Sequence, residues 1–217
     1  MALSKVDFNS INVTPPASKA IKFNSNNNGL ETGDVGGSLV LISEQTASSS
    51  STISFTSGID STYKEYIFKF INIHLSADNG NFSFQGSINS GSSYGVSATT
   101  TYFSATHGEA GASGTLGYTG ASFDLANGTG FQRIMRDEGT AADENGGGEL
   151  TIFDPSSTTF VKHFIARCSN NTSETQTREM DGFTAGYFNT TSAINAIQFK
   201  CDSGNIDSGT IKLYGVS

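Results

Sequence analysis

Short apolar segments separated by polar residues follow one another along most of the chain. In residues 82–85, Phe82 and Phe84 alternate with Ser83 and Gln85, as on a strand that buries one face. No stretch repeats apolar residues at the spacing of about 3.6 that an amphipathic helix requires. The pattern therefore predicts a series of short strands. We place them at residues 39–42, 52–55, 63–75, 82–85, 96–103, 131–135, 150–153, 160–167, 183–188, 194–201 and 210–214.

The segment 63–75 is the strongest of these strands and carries apolar residues at both parities. Tyr66 and Phe68 stand at even positions, whereas Ile71 and Ile73 stand at odd positions. Such a strand is either buried on both faces or changes parity at a β-bulge. Both alternatives stay open at this point.

Turn residues separate the strands. Asp154-Pro155-Ser156-Ser157 has aspartate first and proline second, as in a β-turn, and residues 89–92 and 203–205 are further turn clusters. Many short strands with polar turns between them predict an all-β fold, either a sandwich or a barrel.

Two parts of the chain depart from the strand pattern. Residues 1–38 contain Pro15 and Pro16 and an asparagine-rich run, so we predict an extended N-terminal arm. Such an arm either stays disordered or lies on a partner's surface, and we favour the second alternative. The β domain is predicted at residues 39–217. Within it, residues 104–148 are rich in glycine and are predicted to form a long excursion with one strand inside.

Composition and charge exclude several classes of function. The net charge is −8 and only 15% of residues are charged, which argues against nucleic-acid binding through clustered lysine and arginine. No run approaches the roughly 18 apolar residues of a membrane-spanning helix, so we expect no membrane insertion. The first residues lack the basic and apolar pattern of a secretory signal. We therefore expect the protein to be made and folded in the cytoplasm.

The two cysteines, Cys168 and Cys201, are too few for a disulfide framework. Thiols also stay reduced in the cytoplasm, which argues against a bridge between them. Cys201 continues the alternation of apolar residues set by Ile197 and Phe199, so we interpret it as a small buried thiol.

The sequence contains no recognisable catalytic or cofactor motif. His74, His107 and His163 lie far apart and show no metal-ligand spacing, and we interpret His74 and His163 as sheet-surface residues. The glycine runs are not followed by the Lys-Ser or Lys-Thr pair of a phosphate-binding loop. We therefore predict a protein that is not an enzyme and has no cofactor.

Two acidic clusters are weak candidates for calcium. Their spacing does not match an EF-hand, and solvated loops are the simpler interpretation. The first cluster comprises Asp137, Glu138, Asp143 and Glu144, and the second comprises Asp202, Asn205 and Asp207.

Several segments resemble virion structural proteins of tailed bacteriophages, especially marine phages. The resemblance covers about residues 57–216 and is weak over the excursion. Its strand and turn motifs identify a family better than an activity. The segments are residues 61–66 (STYKEY), 86–94 (GSINSGSSY), 150–159 (LTIFDPSSTT), 185–191 (AGYFNTT) and 208–215 (SGTIKLYG).

The resemblance implies a jelly-roll-like antiparallel β-sandwich that assembles as a homotrimer on the particle. Proteins of this kind occur as capsid decoration proteins and as fibre or spike modules of tails. The expected location is therefore the virion surface, and the expected partners are the major capsid protein or tail proteins of the same particle. The resemblance supplies no catalytic residues.

Two alternatives to a purely structural role remain. The first is a tail fibre or spike module that binds host-surface glycans through exposed aromatic side chains, for which the candidates are Tyr94, Tyr102 and Tyr118. The second is a polysaccharide depolymerase, which rests on analogy with other phage tail proteins and ranks last.

Overall fold

The computed structural model describes residues 19–24, 26, 28–34, 39–111, 114–120, 122–173 and 178–217. These residues form strands, turns and loops, and the described part of the chain contains no helix. The chain divides into two compact units, Met1–Ser38 and Leu39–Ser217. The first unit spans the residues assigned to the arm.

The described part of the first unit is a hairpin of two antiparallel strands, β1 (Lys19–Phe23) and β2 (Leu30–Asp34). Phe23 pairs with Leu30 next to the turn, and the Phe23 side chain is 71% exposed. We predicted no strands in this region because its apolar residues show no sustained period. Pro15 and Pro16 lie outside the described residues.

The second unit consists of two antiparallel sheets that pack face to face. The chain passes repeatedly between them, as in a jelly roll, which confirms the predicted all-β, jelly-roll-like antiparallel sandwich. In spatial order, the eight-stranded sheet contains β3 (Leu39–Thr46), β14 (Ile206–Val216), β5 (Glu65–Leu75), β10 (Gly146–Phe153), β11 (Lys162–Asn171), β12 (Arg178–Phe188), β7 (Ala98–Gly108) and β8 (Thr115–Tyr118). The four-stranded sheet contains β4 (Ile53–Phe55), β13 (Ala196–Cys201), β6 (Gly80–Ser87) and β9 (Gln132–Glu138).

Aromatic side chains fill the space between the sheets. Phe199, on the four-stranded sheet, lies with its ring centroid 5.1 Å from that of Phe68 and 5.3 Å from that of Phe70, both on the opposite sheet. Phe84 meets Phe164 of the opposite sheet edge to face at 5.1 Å. Each fully buried phenylalanine contributes about 1.5–3 kcal/mol through removal of apolar surface from water. The core thus depends on the inward parity of each strand.

A β-bulge in β5 explains why this strand is apolar at both parities. Phe70 pairs with Gly148 of β10, but Ile73 pairs with Gly146, so β5 contains one more residue than its partner. Asn72, at the bulge, has a left-handed φ of 51°. The inward parity therefore changes from even to odd positions, and of the two alternatives the bulge is confirmed.

The glycine-rich excursion contains two strands, β8 and β9, rather than the single predicted one. Its segment 122–131 closes one side of the sandwich: Phe123 lies 5.5 Å from Tyr102 and below the guanidinium of Arg133. Leu125 packs against the core. We missed β8 because its four residues are all exposed and show no alternation.

Candidate functional site

The outer side of the eight-stranded sheet carries a group of exposed and half-buried apolar side chains, which we call the apolar face. Inward parity belongs to residues such as Phe164 on β11, so the neighbouring residue Ile165 points outward and is 54% exposed. The same alternation applies to the adjoining strands β7, β8, β10 and β12. The apolar face comprises Phe103, Leu116, Tyr118, Phe153, Ile165, Phe183 and Tyr187.

Strand register builds an aromatic row across three strands of this face. Phe183 of β12 pairs with Phe103 of β7, and Phe103 pairs with Tyr118 of β8. The rings of Phe103 and Phe183 are stacked with centroids 4.8 Å apart and an interplanar angle of 4°. Arg167 extends the row, because its guanidinium lies 4.9 Å from the centre of the Phe183 ring. The result is a stack of side chains that runs across neighbouring strands, with Tyr118 65% exposed at its edge.

Beside this row lies a shallow hollow of about 540 Å³. Phe153, His163, Ile165 and Tyr187 form its apolar and aromatic walls, and Thr101 belongs to its polar side. The rings of His163 and Tyr187 are 5.6 Å apart. A concave apolar surface of this kind is suited to receive a protruding side chain of another protein.

The charged side chains next to the apolar face are paired with each other. Arg167 makes two hydrogen bonds to the Asp181 carboxylate, at 3.1 and 2.8 Å. Lys69 contacts Glu149, and the ammonium of Lys212 lies 2.8 Å from the Glu44 carboxylate. The face therefore presents no concentrated charge of either sign, which would have favoured a strongly charged partner.

The outer side of the four-stranded sheet differs from the apolar face, because its side chains are polar and satisfied within the chain. Buried Gln85 donates from Nε2 to the carbonyl oxygens of Thr129 and Gly130, at 3.1 and 2.6 Å. Ser83 donates to the Lys200 carbonyl, and Asn81 donates to Asp202. This side serves the fold of the chain itself.

Among the three tyrosines proposed for glycan binding, the prediction was wrong for Tyr102. Its side chain is 0% exposed and packs against Phe123, and burial raises its pKa to about 12. Tyr118 is exposed on the apolar face. Tyr94 lines a separate hollow at the loop end of the sandwich. The structure thus leaves two of the candidates, in different places.

The histidines do not gather into a site. His163 is exposed on the outer side of β11, which confirms its interpretation as a sheet-surface residue. His74 on β5 is half-buried, with Nδ1 3.8 Å from Asp207, and His107 is exposed near the end of β7. Within the described ranges, no group of three histidine, cysteine, aspartate or glutamate side chains could hold a metal ion.

The first acidic cluster is dispersed over different environments. Asp137 accepts a hydrogen bond from Arg136 at 2.5 Å, whereas Glu144 accepts one from the Ala141 amide at 2.9 Å. Glu138 is fully buried, and neither carboxyl oxygen has a well-formed hydrogen bond. Burial raises the pKa of Glu138 to about 8, and the negative charge of Glu144 adds to the effect.

In the second acidic cluster, the carboxylates serve as hydrogen-bond acceptors for neighbouring loops. Asp202 accepts from Asn81 at 2.7 Å and forms an ion pair with Arg133 at 3.2 Å. Asp207 accepts from Ser49 at 2.7 Å. Both groups thus have protein partners that account for their positions.

Cys168 and Cys201 are both buried and free, as expected for a buried Cys201 thiol. Burial raises the pKa of both thiols, that of Cys201 to about 12. Neither thiol has the exposed, electropositive surroundings of a reactive cysteine.

Comparisons with known proteins identify no relative. No protein-family model, no curated protein and no solved structure matches this chain. The resemblance of residues 57–216 to phage virion proteins therefore stays a prediction. A search for helices long and apolar enough to cross a membrane finds none in the described part of the chain.

Proposed function

We propose that this chain is a structural protein on the surface of a tailed-phage virion, either a capsid decoration protein or an accessory tail protein. In this proposal it has no enzymatic activity, and it acts by binding neighbouring proteins of the particle. The support comes from the resemblance of residues 57–216 and from the chemistry of the apolar face.

The observation that carries the proposal is the exposure of large apolar side chains on one side of the eight-stranded sheet. Ile165 and Tyr118 are both more than half exposed and belong to the same face as Phe103 and Phe153. Burial of apolar surface is worth about 25 cal/mol per Å². A contiguous face of this kind is typical of a surface that binds another protein.

The partner that fits this face best is a second copy of the chain, as in the homotrimer that the resemblance implies. Because Arg167, Lys69 and Lys212 are already paired within the chain, the face selects a partner by shape and apolar area. Obligate contacts between identical subunits are of this apolar type. The major capsid protein or a tail protein would then contact other surfaces of the trimer.

The N-terminal arm is proposed to attach the sandwich to the particle. A two-stranded hairpin is at best marginally stable alone in water, and the hairpin β1–β2 leaves Phe23 and Leu30 exposed. Docking on another protein would cover both side chains. The arm also leads into β3, an edge strand whose residues 39–41 are apolar and exposed.

Attachment can be tested with virions that lack this protein. Full-length protein and a variant without residues 1–38 are added to such particles, and bound protein is measured after sedimentation. We expect the truncated variant to keep its β circular-dichroism spectrum but to bind more weakly. Equal binding by the two forms would remove the role of the arm.

Enzymatic activity is tested with the same full-length protein. Incubation of the full chain with host surface polysaccharide, followed by a reducing-end assay, is expected to give no signal above buffer. Release of reducing ends that depends on the protein would replace this proposal with the depolymerase alternative.

A further inference from the structure

A second hollow, of about 470 Å³, lies at one end of the sandwich, and we call it the loop-end hollow. It is formed by the loop between β6 and β7 and by the residues that follow β12. Its volume falls within the range of about 300–1,000 Å³ that is typical of small-ligand sites. The side chains that matter for its chemistry are Ile88, Ser93, Tyr94, Ser97, Asn189 and Thr190.

Hydrogen bonds hold the loops around this hollow in place. The Ser97 hydroxyl donates to the carbonyl oxygen of Asn127 at 2.9 Å, and Asn189 Nδ2 donates to Asn127 Oδ1 at 2.9 Å. Asn89 accepts from the Ser93 amide at 3.0 Å and donates to the Ser93 hydroxyl at 2.9 Å. A wall that is ordered before binding reduces the entropy that a ligand must overcome.

The lining combines hydroxyl and amide groups with apolar surface, and it contains no carboxylate, ammonium or guanidinium group. Hydroxyls and amides exchange hydrogen bonds with the hydroxyl groups of sugars. Ile88 is 47% exposed and offers a surface to the C–H side of a sugar ring. This chemistry differs from the apolar face, where aromatic and aliphatic side chains predominate.

Tyr94 contributes its ring, not its hydroxyl. The Tyr94 hydroxyl is enclosed and has no hydrogen-bond partner, and it lies within 2.7 Å of the place where a Cβ on Gly91 would be. The hydroxyl is therefore turned toward the turn that contains Gly91. The half-buried aromatic ring is the part that Tyr94 offers to the hollow.

We propose that the loop-end hollow binds an uncharged saccharide, with the Tyr94 ring and Ile88 against a sugar face and Ser97, Asn189 and Thr190 near its hydroxyl groups. The absence of an ionic side chain from the lining excludes the paired contacts that an acidic sugar would require. This inference does not depend on the location of the chain on a particle.

The test is a titration of the full-length protein with a panel of neutral sugars, in which binding is measured by saturation-transfer NMR. The panel contains glucose, galactose, mannose, N-acetylglucosamine and short oligomers of each. We expect saturable binding of at least one sugar. Its affinity should fall about three- to tenfold in Tyr94→Leu and in Ile88→Ala, as loss of one apolar contact predicts.

Two further variants separate a binding role from a structural one. Tyr94→Phe keeps the ring and should retain the binding lost in Tyr94→Leu. Phe160→Ala removes an exposed apolar side chain elsewhere, in the loop between β10 and β11, and should bind like the wild type. Because Ile88 is exposed, Ile88→Ala should fold even if Tyr94→Leu does not.

Three results would overturn the proposal. The first is the lack of saturable binding by any sugar in the panel. The second is unchanged affinity in folded Ile88→Ala and Tyr94→Leu. The third is an equal loss of affinity in Phe160→Ala, which would place binding elsewhere or make it nonspecific.

Discussion

The two sheets of the sandwich share one core but differ in what they turn outward. On the four-stranded sheet, Gln85, Ser83 and Asn81 are buried polar residues with partners in the same chain. On the eight-stranded sheet, Ile165 and Phe103 are apolar and exposed. Strand alternation produces both patterns, so the difference lies in the chemistry of the outward positions alone.

This difference separates residues that stabilise the fold from residues available for contacts. A buried amide that satisfies backbone carbonyls is costly to remove, because the carbonyls then remain unpaired. An exposed isoleucine adds little to the stability of its own chain. Substitutions on the four-stranded sheet should therefore change the free energy of unfolding, whereas substitutions on the apolar face should change association.

The largest expected effect concerns Glu138, at the end of β9 in the four-stranded sheet. Its pKa is about 8 in the folded protein and near the ordinary 4.5 when unfolded, so the folded state binds the proton more tightly. The stability that the protonated Glu138 carboxyl gives to the folded state is fully present below pH 4.5 and is lost as the pH rises through about 8. The free energy of unfolding should fall over this window by up to about 5 kcal/mol.

Glu138→Gln provides the matched measurement, because it keeps the shape of the protonated carboxyl. Urea denaturation at a series of pH values should give a flatter profile for the variant, whose stability relative to the wild type rises between pH 4.5 and about 8 and then levels off. Parallel profiles for the two proteins would mean that Glu138 is ionised in the folded state.

The next largest effect is expected for Gln85→Leu on the four-stranded sheet. This change removes two donors to backbone carbonyls and the acceptor for the Gly86 amide. We expect a loss of about 2–4 kcal/mol in the free energy of unfolding, measured by denaturation at constant pH. A loss below 1 kcal/mol would show that the polar outer side of the four-stranded sheet is not required for the fold. It would then weaken the comparison between the outer sides of the two sheets.

A smaller effect is expected for Arg167→Ala, at the border of the apolar face. The variant loses the paired contact with Asp181 and the contact with the Phe183 ring. Exposed pairs of this type contribute little to stability, so we expect a small loss in the free energy of unfolding, which high salt should reduce further. Denaturation at two salt concentrations tests this, and a salt-independent loss would point to packing instead.

The smallest effect on stability is expected for Ile165→Ser, in the centre of the apolar face. The free energy of unfolding should change by about 0.5 kcal/mol or less, because the side chain is half exposed. The proposed self-association through the apolar face predicts that the variant, measured by analytical ultracentrifugation, dissociates at a higher protein concentration than the wild type. An unchanged association constant would show that the apolar face does not mediate self-assembly.

Local pattern was enough to predict the fold class and most of the strands. The alternation of Phe82 and Phe84 with Ser83 and Gln85 gives the inward side of β6 directly. It was not enough for β8, where all four residues are exposed, or for the hairpin β1–β2. These strands depend on pairing with neighbours, which short-range periodicity does not report.

The candidate sites were harder to predict, because the sequence does not say which parity faces outward. Tyr102 and Phe103 are adjacent and equally apolar, yet Tyr102 is buried by Phe123 from the excursion and Phe103 is exposed. The aromatic row likewise requires the register of β7 with β12. Glu138 became notable only through its burial, which no spacing of acidic residues could indicate.

The most direct test of the proposed contact surface is a cryo-electron-microscopy reconstruction of the tailed-phage particle to which the proposal assigns this protein. The proposal predicts density for the sandwich at fixed, repeated positions on the virion surface, with the apolar face around Ile165 covered by a neighbouring subunit. Sandwich density with that face open to solvent, or the lack of this protein from purified virions, would contradict it.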